Sequence, residues 1–177
     1  PDGRTPLLYA AVRHLQVCRL LIERGADPAA VDEDGCGAVY RAEDLSLVRY
    51  LLEAGAPADE PGPDGPWCRR LESAISEDAH EIIDELMRAG ASRDDLSPFH
   101  RTLVYGDWRD RVDERVETIA LLAEHGADLE APNERGQTLL MDFIGPSIIP
   151  LPVVEALLAA GVDVDAVDSN RRTALHV

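Results

Sequence analysis

The sequence predicts an all-α chain built from successive helix–loop–helix units, and three observations carry that reading. A glycine-closed phrase recurs five times. It reads Leu20-Leu21-Ile22-Glu23-Arg24-Gly25-Ala26-Asp27 at first, then Leu51-Leu52-Glu53-Ala54-Gly55-Ala56-Pro57 and Leu86-Met87-Arg88-Ala89-Gly90-Ala91-Ser92. It returns as Leu122-Ala123-Glu124-His125-Gly126-Ala127-Asp128 and Leu157-Leu158-Ala159-Ala160-Gly161-Val162-Asp163. The glycines stand 30, 35, 36 and 35 residues apart, a spacing that marks repeat architectures. Each phrase also ends an apolar pattern at helical period, such as Val17, Leu20, Leu21 or Ile119, Leu122, Ala123.

A second phrase opens the units. It is clearest in Asp2-Gly3-Arg4-Thr5-Pro6-Leu7 and Arg135-Gly136-Gln137-Thr138-Leu139-Leu140, and returns in Ser97-Pro98-Phe99-His100 and Arg172-Thr173-Ala174-Leu175-His176. The order predicts a tight turn at the glycine, then a Thr or Ser N-cap. Proline follows at the first helical position, where its missing N–H costs nothing. The closing glycine supplies the left-handed residue that satisfies the last carbonyls of the second helix.

On these residues the chain resembles the ankyrin-repeat family. Thr5-Pro6-Leu7, Ala10-Ala11 and Leu20 to Asp27 follow the family repeat nearly throughout, and the likeness extends over essentially all 177 residues. The resemblance implies a solenoid of helix pairs joined by β-hairpin-like loops, with hairpins and first helices forming a concave face. It also implies protein binding without catalysis. The expected array is single, spanning 1–177, with five full repeats and part of a sixth. Their approximate bounds are 1–31, 32–61, 62–92, 93–132, 133–167 and 168–177.

The units depart from the pattern in order. Unit two is short, so Ala38 to Ala42 must form a truncated first helix before Leu45 begins the second. Four prolines between Pro57 and Pro66 favour an extended loop ahead of unit three, where Arg69 and Arg70 take the Thr-Pro positions. Unit four carries an insertion from Asp107 to Arg115, alternating acid and base, that lengthens its second helix through pairs such as Asp107/Arg111. In unit five, prolines 146, 150 and 152 end the first helix and set the start of the second. Neither end has the polar outer face of a capping unit, so the chain is expected to be an excerpt of a longer array.

Composition narrows the function. Hydrophobic residues at 45% provide a core, and no apolar run or opening signal segment points to a membrane or to export. There are 34 acidic and 17 basic residues, all of the latter Arg, giving a net charge of −17. Such a charge repels phosphates and anionic lipid, which excludes nucleic acid and membrane as principal partners. Three cysteines without C-x-x-C spacing form no staple or zinc knuckle, which suggests a reducing, cytoplasmic setting, with export left open by the missing Met at the start.

Catalytic and metal constellations are absent from the pattern. Thr173 and His176, like Ser97 and His100, occupy the cap and histidine positions of a unit, where a local hydrogen bond is the expected use. The five histidines are dispersed, Asp32-Glu33-Asp34-Gly35 is a repeat turn, and a chain without Lys has no P-loop. No enzyme activity, cofactor or metal is expected. Cys18 falls on the inward stripe of a second helix. Cys36 sits at a turn tip beside acids that would raise its pKa.

The sequence therefore points to a non-catalytic, monomeric module that binds another protein, possibly one with a basic surface. By position in the family repeat, the contact residues are Asp34, Cys36, Asp64, Glu77, Asp94, Leu96, Tyr105, Trp108, Arg109, Arg135 and Gln137. Charge is uneven: residues 59–85 hold nine carboxylates and two Arg, and residues 94–134 hold eleven and four, a net −7 each. The plain reading is a solubilising surface; the sharper one is a steering field. Two rivals follow: an acidic inhibitor or immunity protein that neutralises a basic toxin such as a nuclease, and the targeting module of a larger enzyme.

Overall fold

A computed structural model describes residues 3–58, 69–91, 103–104, 111–144 and 150–176. Among these residues all regular structure is helical. In chain order the elements are α1 (Pro6–Ala10), α2 (Leu15–Glu23), α3 (Ala38–Arg41), α4 (Leu45–Glu53), α5 (Arg69–Glu77) and α6 (His80–Arg88). They continue as α7 (Val112–Glu124), α8 (Leu139–Ile144), α9 (Leu151–Ala159) and a 3-10 turn, Ala174–His176. The chain divides into two compact units, Pro1–Ser73 with Glu81–Ala91, and Ala74–His80 with Ser92–Val177.

In the first unit α1 packs on α2 and α3 on α4, while α1 meets α3 and α2 meets α4. The core is a run of fully buried small and branched side chains: Leu7, Leu8, Ala11, Cys18, Val39, Leu47, Val48 and Leu51. Thr5 caps α1, its hydroxyl accepting from the Leu8 N–H, and Pro6 follows at the first turn. The short first helix of unit two is there: α3 ends at Arg41 and Leu45 opens α4 behind the Asp44 cap. Ion pairs Arg13–Glu43 and Arg49–Glu85 tie successive helix pairs together. Arg69 and Arg70 lie inside α5 rather than capping it.

The apolar periodicity of α2 gives the helix but not the burial it suggests. Val17 and Leu20 are exposed and only Cys18 is buried. An amphipathic stripe is buried only where a neighbour covers it, and α2 has a neighbour on one side alone among the described residues.

In the second unit α7 packs against α9, α9 against α8, and α8 against the final 3-10 turn. Ile119, Leu122, Leu139, Phe143, Val153 and Leu157 are fully buried. Pro150 stands at the N-cap of α9 and Pro152 in its first turn, as the proline pattern predicts.

All five closing glycines have positive φ, between 72° and 94°. At each, the glycine N–H reaches three residues back and the following N–H five back: Gly25 to Ile22 and Ala26 to Leu21, for example, both at 2.9 Å. This is the Schellman motif, which satisfies the orphan carbonyls at a helix end.

Candidate functional site

The loops between helix pairs share one internal frame. Asp32 Oδ1 accepts the N–H groups of Asp34 and Cys36, at 3.0 and 2.9 Å. Asn133 Oδ1 accepts those of Arg135 and Gln137, at 2.8 and 3.0 Å, and Asp168 Oδ1 those of Asn170 and Arg172, at 2.8 and 2.9 Å. One backbone hydrogen bond closes each loop, from residue 32, 133 or 168 to the carbonyl four residues on. A short polar side chain can do this because it bonds its own backbone in place of a strand partner.

The second oxygen or the amide nitrogen of that residue then pairs with a helix or with the loop. Asp32 Oδ2 takes Arg41, and Arg4 stands 3.5 Å away. Asn133 Nδ2 donates to Asp142 Oδ2 at 2.8 Å, nine residues on, the same offset as Asp32 to Arg41 with the charge inverted. Asp168 takes Nε and Nη2 of Arg172. Burial raises the Asp32 pKa, but the Cys36 N–H and the Arg41 guanidinium outweigh it and hold the carboxyl below its ordinary value. Asp168 is likewise lowered, first by the Arg172 N–H.

With the base buried, the tips face outward. Glu33, Asp34, Glu134, Arg135, Ser169 and Asn170 are exposed, and Cys36 and Gln137 half-buried. Thus the structure places four expected contact residues, Asp34, Cys36, Arg135 and Gln137, at equivalent positions of two loops. Glu77 is elsewhere, exposed at the C-terminus of α5. Asp64, Asp94, Leu96, Tyr105, Trp108 and Arg109 lie outside the described residues. Cys18 is a buried core thiol whose pKa is raised by burial. At the chain's end Thr173 and His176 form the expected local bond, Oγ1 to Nδ1 at 2.7 Å. Among the described residues no group of three His, Cys, Asp or Glu side chains is arranged for a metal ion.

A buried ion cluster escaped the sequence reading. Asp78 ends α5 in the left-handed conformation, φ 51°, in the place a closing glycine would take. Its N–H reaches Ile75 O, and the next N–H reaches Ala74 O. Arg115, fully buried, donates to Ile75 O at 3.1 Å and lies 3.5 Å from Asp78 Oδ1. Burial lowers the Arg115 pKa and Asp78 opposes that shift. Arg111 lies 3.1 Å from Asp78 Oδ2 and donates to the carbonyls of Ser76 and Glu77. Thr118 Oγ1 donates to Asp78 Oδ1, and His80 Nε2 lies 3.0 Å from Thr118 Oγ1.

Of the expected i,i+4 pair Asp107/Arg111, Asp107 lies outside the described residues. α7 is longer than its counterparts, 13 residues against nine. Its arginines, however, turn inward to a carboxylate and to the α5 carbonyls, whose partial negative charge favours cations. Asp113, Glu114, Glu117 and Glu124 are left on the outer side of the helix. The signal was legible in one respect: an Asp followed by His at a helix end, with two arginines four apart in an insertion.

Helix pairs ending in glycine and loops built on a buried Asp or half-buried Asn define a helix-pair repeat protein. The ankyrin-repeat family model matches residues 2–33. The mouse (Mus musculus) B-cell lymphoma 3 protein homolog is 26% identical over 182 residues, 98% of this chain and 39% of that protein. The zebrafish (Danio rerio) putative palmitoyltransferase ZDHHC13 is 24% identical over 145 residues, 77% of this chain and 21% of that protein. Thus the chain spans about two fifths and one fifth of these relatives. The solved ankyrin repeat domain of Bcl-3 superimposes with a TM-score of 0.78 at 26% identity, covering 98% of this chain and 77% of that one. An ankyrin repeat domain from Acinetobacter baumannii AYE gives 0.72 at 24%, covering 97% and 88%. Residues 2–33 thus match the ankyrin-repeat model, and the described helices have the all-α fold of the ankyrin-repeat structures the chain resembles. Ankyrin repeats are in general protein-interaction modules rather than catalysts. Among the described residues no helix is long and apolar enough to cross a membrane.

Proposed function

We propose that this chain is a non-catalytic cytoplasmic module that binds a partner protein through its loop tips and first helices. The supporting observation is the shared frame of the loops at Asp32, Asn133 and Asp168. Each holds its backbone from within and leaves the tip side chains outward. A surface ordered before the partner arrives loses little entropy on binding, which favours rigid recognition. Asp34, Cys36, Arg135 and Gln137 are contact residues in this reading, together with Glu77 and with Asp64, Asp94, Leu96, Tyr105, Trp108 and Arg109. Replacing Tyr105 and Trp108 with Ala together should weaken the partner while leaving thermal stability unchanged. A fall in melting temperature with full affinity would overturn their role as contacts.

A second reading is an acidic inhibitor of a basic toxin such as a nuclease. It is favoured by the inward turn of Arg111 and Arg115, which leaves the carboxylates of α7 outward. Affinity for such a partner should fall steeply between low and physiological salt. Binding without salt dependence would remove this reading and leave the first intact.

A further inference from the structure

Within the second compact unit α7 packs against α9, and residues from the C-terminal ends of both helices line one cleft of about 200 Å³. Its walls are small: Ala123 and Ala127 flank the end of α7, and Ala160 and Gly161 the end of α9. Asp128 and Glu130 supply its charged groups. The volume is below the ~300–1,000 Å³ of a small-molecule site, so it suits one long side chain.

Every polar feature of the cleft is negative. Carbonyls without an intrahelical partner gather at a helix C-terminus, and their partial charge favours cations. Among the described residues no N–H donates to the Ala160 carbonyl. The Asp163 N–H, three residues on, goes instead to Glu130 Oε1, a bond that joins the loops after α7 and α9. Asp128 Oδ1 accepts the Glu130 N–H at 2.9 Å. These bonds hold each carboxylate by one oxygen and leave the other open. Asp32, Asp78 and Asp168 each have an arginine, but no ion pair among the described residues involves Asp128 or Glu130.

We propose that this cleft receives an arginine side chain of the partner protein. A guanidinium is a flat fork of five donors, which suits several acceptors around a narrow slot better than the point charge of an ammonium does. The small walls admit the plane of the fork, and the alanines contact its aliphatic stem. The inference rests on the protein-binding reading, but it uses a face built from the ends of second helices and not the loop tips.

Amide chemical shifts of the 177-residue chain, titrated with the blocked peptide acetyl-Gly-Arg-Gly-amide at low ionic strength, test the proposal. The amides of Gly126, Glu130, Gly161 and Asp163 should move together and saturate. The peptide with citrulline, an uncharged match in shape, should leave them unmoved, and the lysine peptide should bind more weakly. Asp128→Asn with Glu130→Gln keeps both bonded oxygens but removes the charge, and should weaken the arginine peptide about fivefold or more. Asp113→Asn with Glu114→Gln removes the same charge from the opposite end of α7 and should leave binding unchanged. Amide shifts unaltered away from the changed residues show that both variants are folded. Equal losses in the two variants, or shifts spread over the acidic surface, would mean diffuse attraction and overturn the proposal. The absence of a saturating shift at the cleft would overturn it too, and equal binding of the lysine peptide would overturn the assignment to arginine. The titration uses no cognate partner and no loop-tip residue, so its failure is separate from a failure of the loop tips to bind.

Discussion

Asp32 and Asp78 are both buried carboxylates flanked by two arginines, yet they are different devices. Asp32 receives two backbone N–H groups from its own loop, and its arginines, Arg4 and Arg41, keep part of their surface in solvent. The arrangement recurs at Asp168 with Arg172 and at Asn133 with Asp142 in place of the Arg, so its essential part is the acceptor and the Arg is replaceable. Asp78 faces a fully buried Arg115 drawn from 37 residues further along, and no second copy of that pairing occurs among the described residues. A repeated device serves every unit and tolerates exchange. A single one fixes the place where one unit departs from the others.

The widest separation between the two should come from removing the arginines. Arg115→Met leaves Asp78 buried without its inner partner and should cost about 3–5 kcal/mol, read by urea denaturation. Adding Asp78→Asn, which keeps a residue tolerant of positive φ, should recover a substantial part. Recovery of nothing would mean that Arg115 matters for its packing and not for its charge. Arg41→Met should cost less, because Arg41 is half-buried and the loop N–H groups still hold Asp32.

Next in size are the glycines. Gly136 and Gly126 have the same φ, 72°, but a Cβ on Gly136 meets Ser169 while one on Gly126 meets nothing within 4 Å. Gly126→Ala should cost about 1–2 kcal/mol of left-handed strain. Gly136→Ala should cost about 1–3 kcal/mol more. Equal melting temperatures for the two variants would show that the loop at 169 yields freely.

The loop frame itself can be exchanged. Asn133→Asp puts a carboxylate where the amide now meets Asp142 and should destabilise by about 1–2 kcal/mol. Adding Asp142→Arg copies the Asp32–Arg41 pair and should restore the loss. Failure to restore it would show that the two loops are not equivalent.

The smallest effect is with pH. Asp32 and Asp168 have lowered pKa values, so their contribution is present above the ordinary carboxylate pKa of ~3.9 and is lost as pH falls through the lower folded values. Protection of the Cys36 and Arg172 amides relative to Gln137 should hold steady from pH 7 to pH 5 and fall below about pH 4. Loosening near pH 6 would point to another group.

Much of this was legible in the sequence for a physical reason. Closing glycines, the Thr5-Pro6 cap and the prolines at 150 and 152 are local signals, each fixed by backbone chemistry within a few residues, and the structure has each where the sequence puts it. Burial in α2 was not, because it depends on whether another helix pair lies alongside. The Asp78 cluster was missed since its partners are 33 and 37 residues away, and sequence reading paired Arg111 with its near neighbours. Of the proposed contact residues, Asp34, Cys36, Arg135 and Gln137 lie in the loops because the turn phrase marks those positions. The Asp32, Asn133 and Asp168 supports went unnoticed: Asp32 read as part of an ordinary acidic turn.

Binding by preordered loop tips is the central claim, and one measurement addresses it most directly. Asp34, Cys36, Arg135 and Gln137 are changed to Ala together, and affinity for the cognate partner protein is titrated alongside the melting temperature. The account predicts at least a tenfold loss of affinity, about 1.4 kcal/mol, with the melting temperature essentially unmoved. Full affinity in the fourfold variant would contradict it.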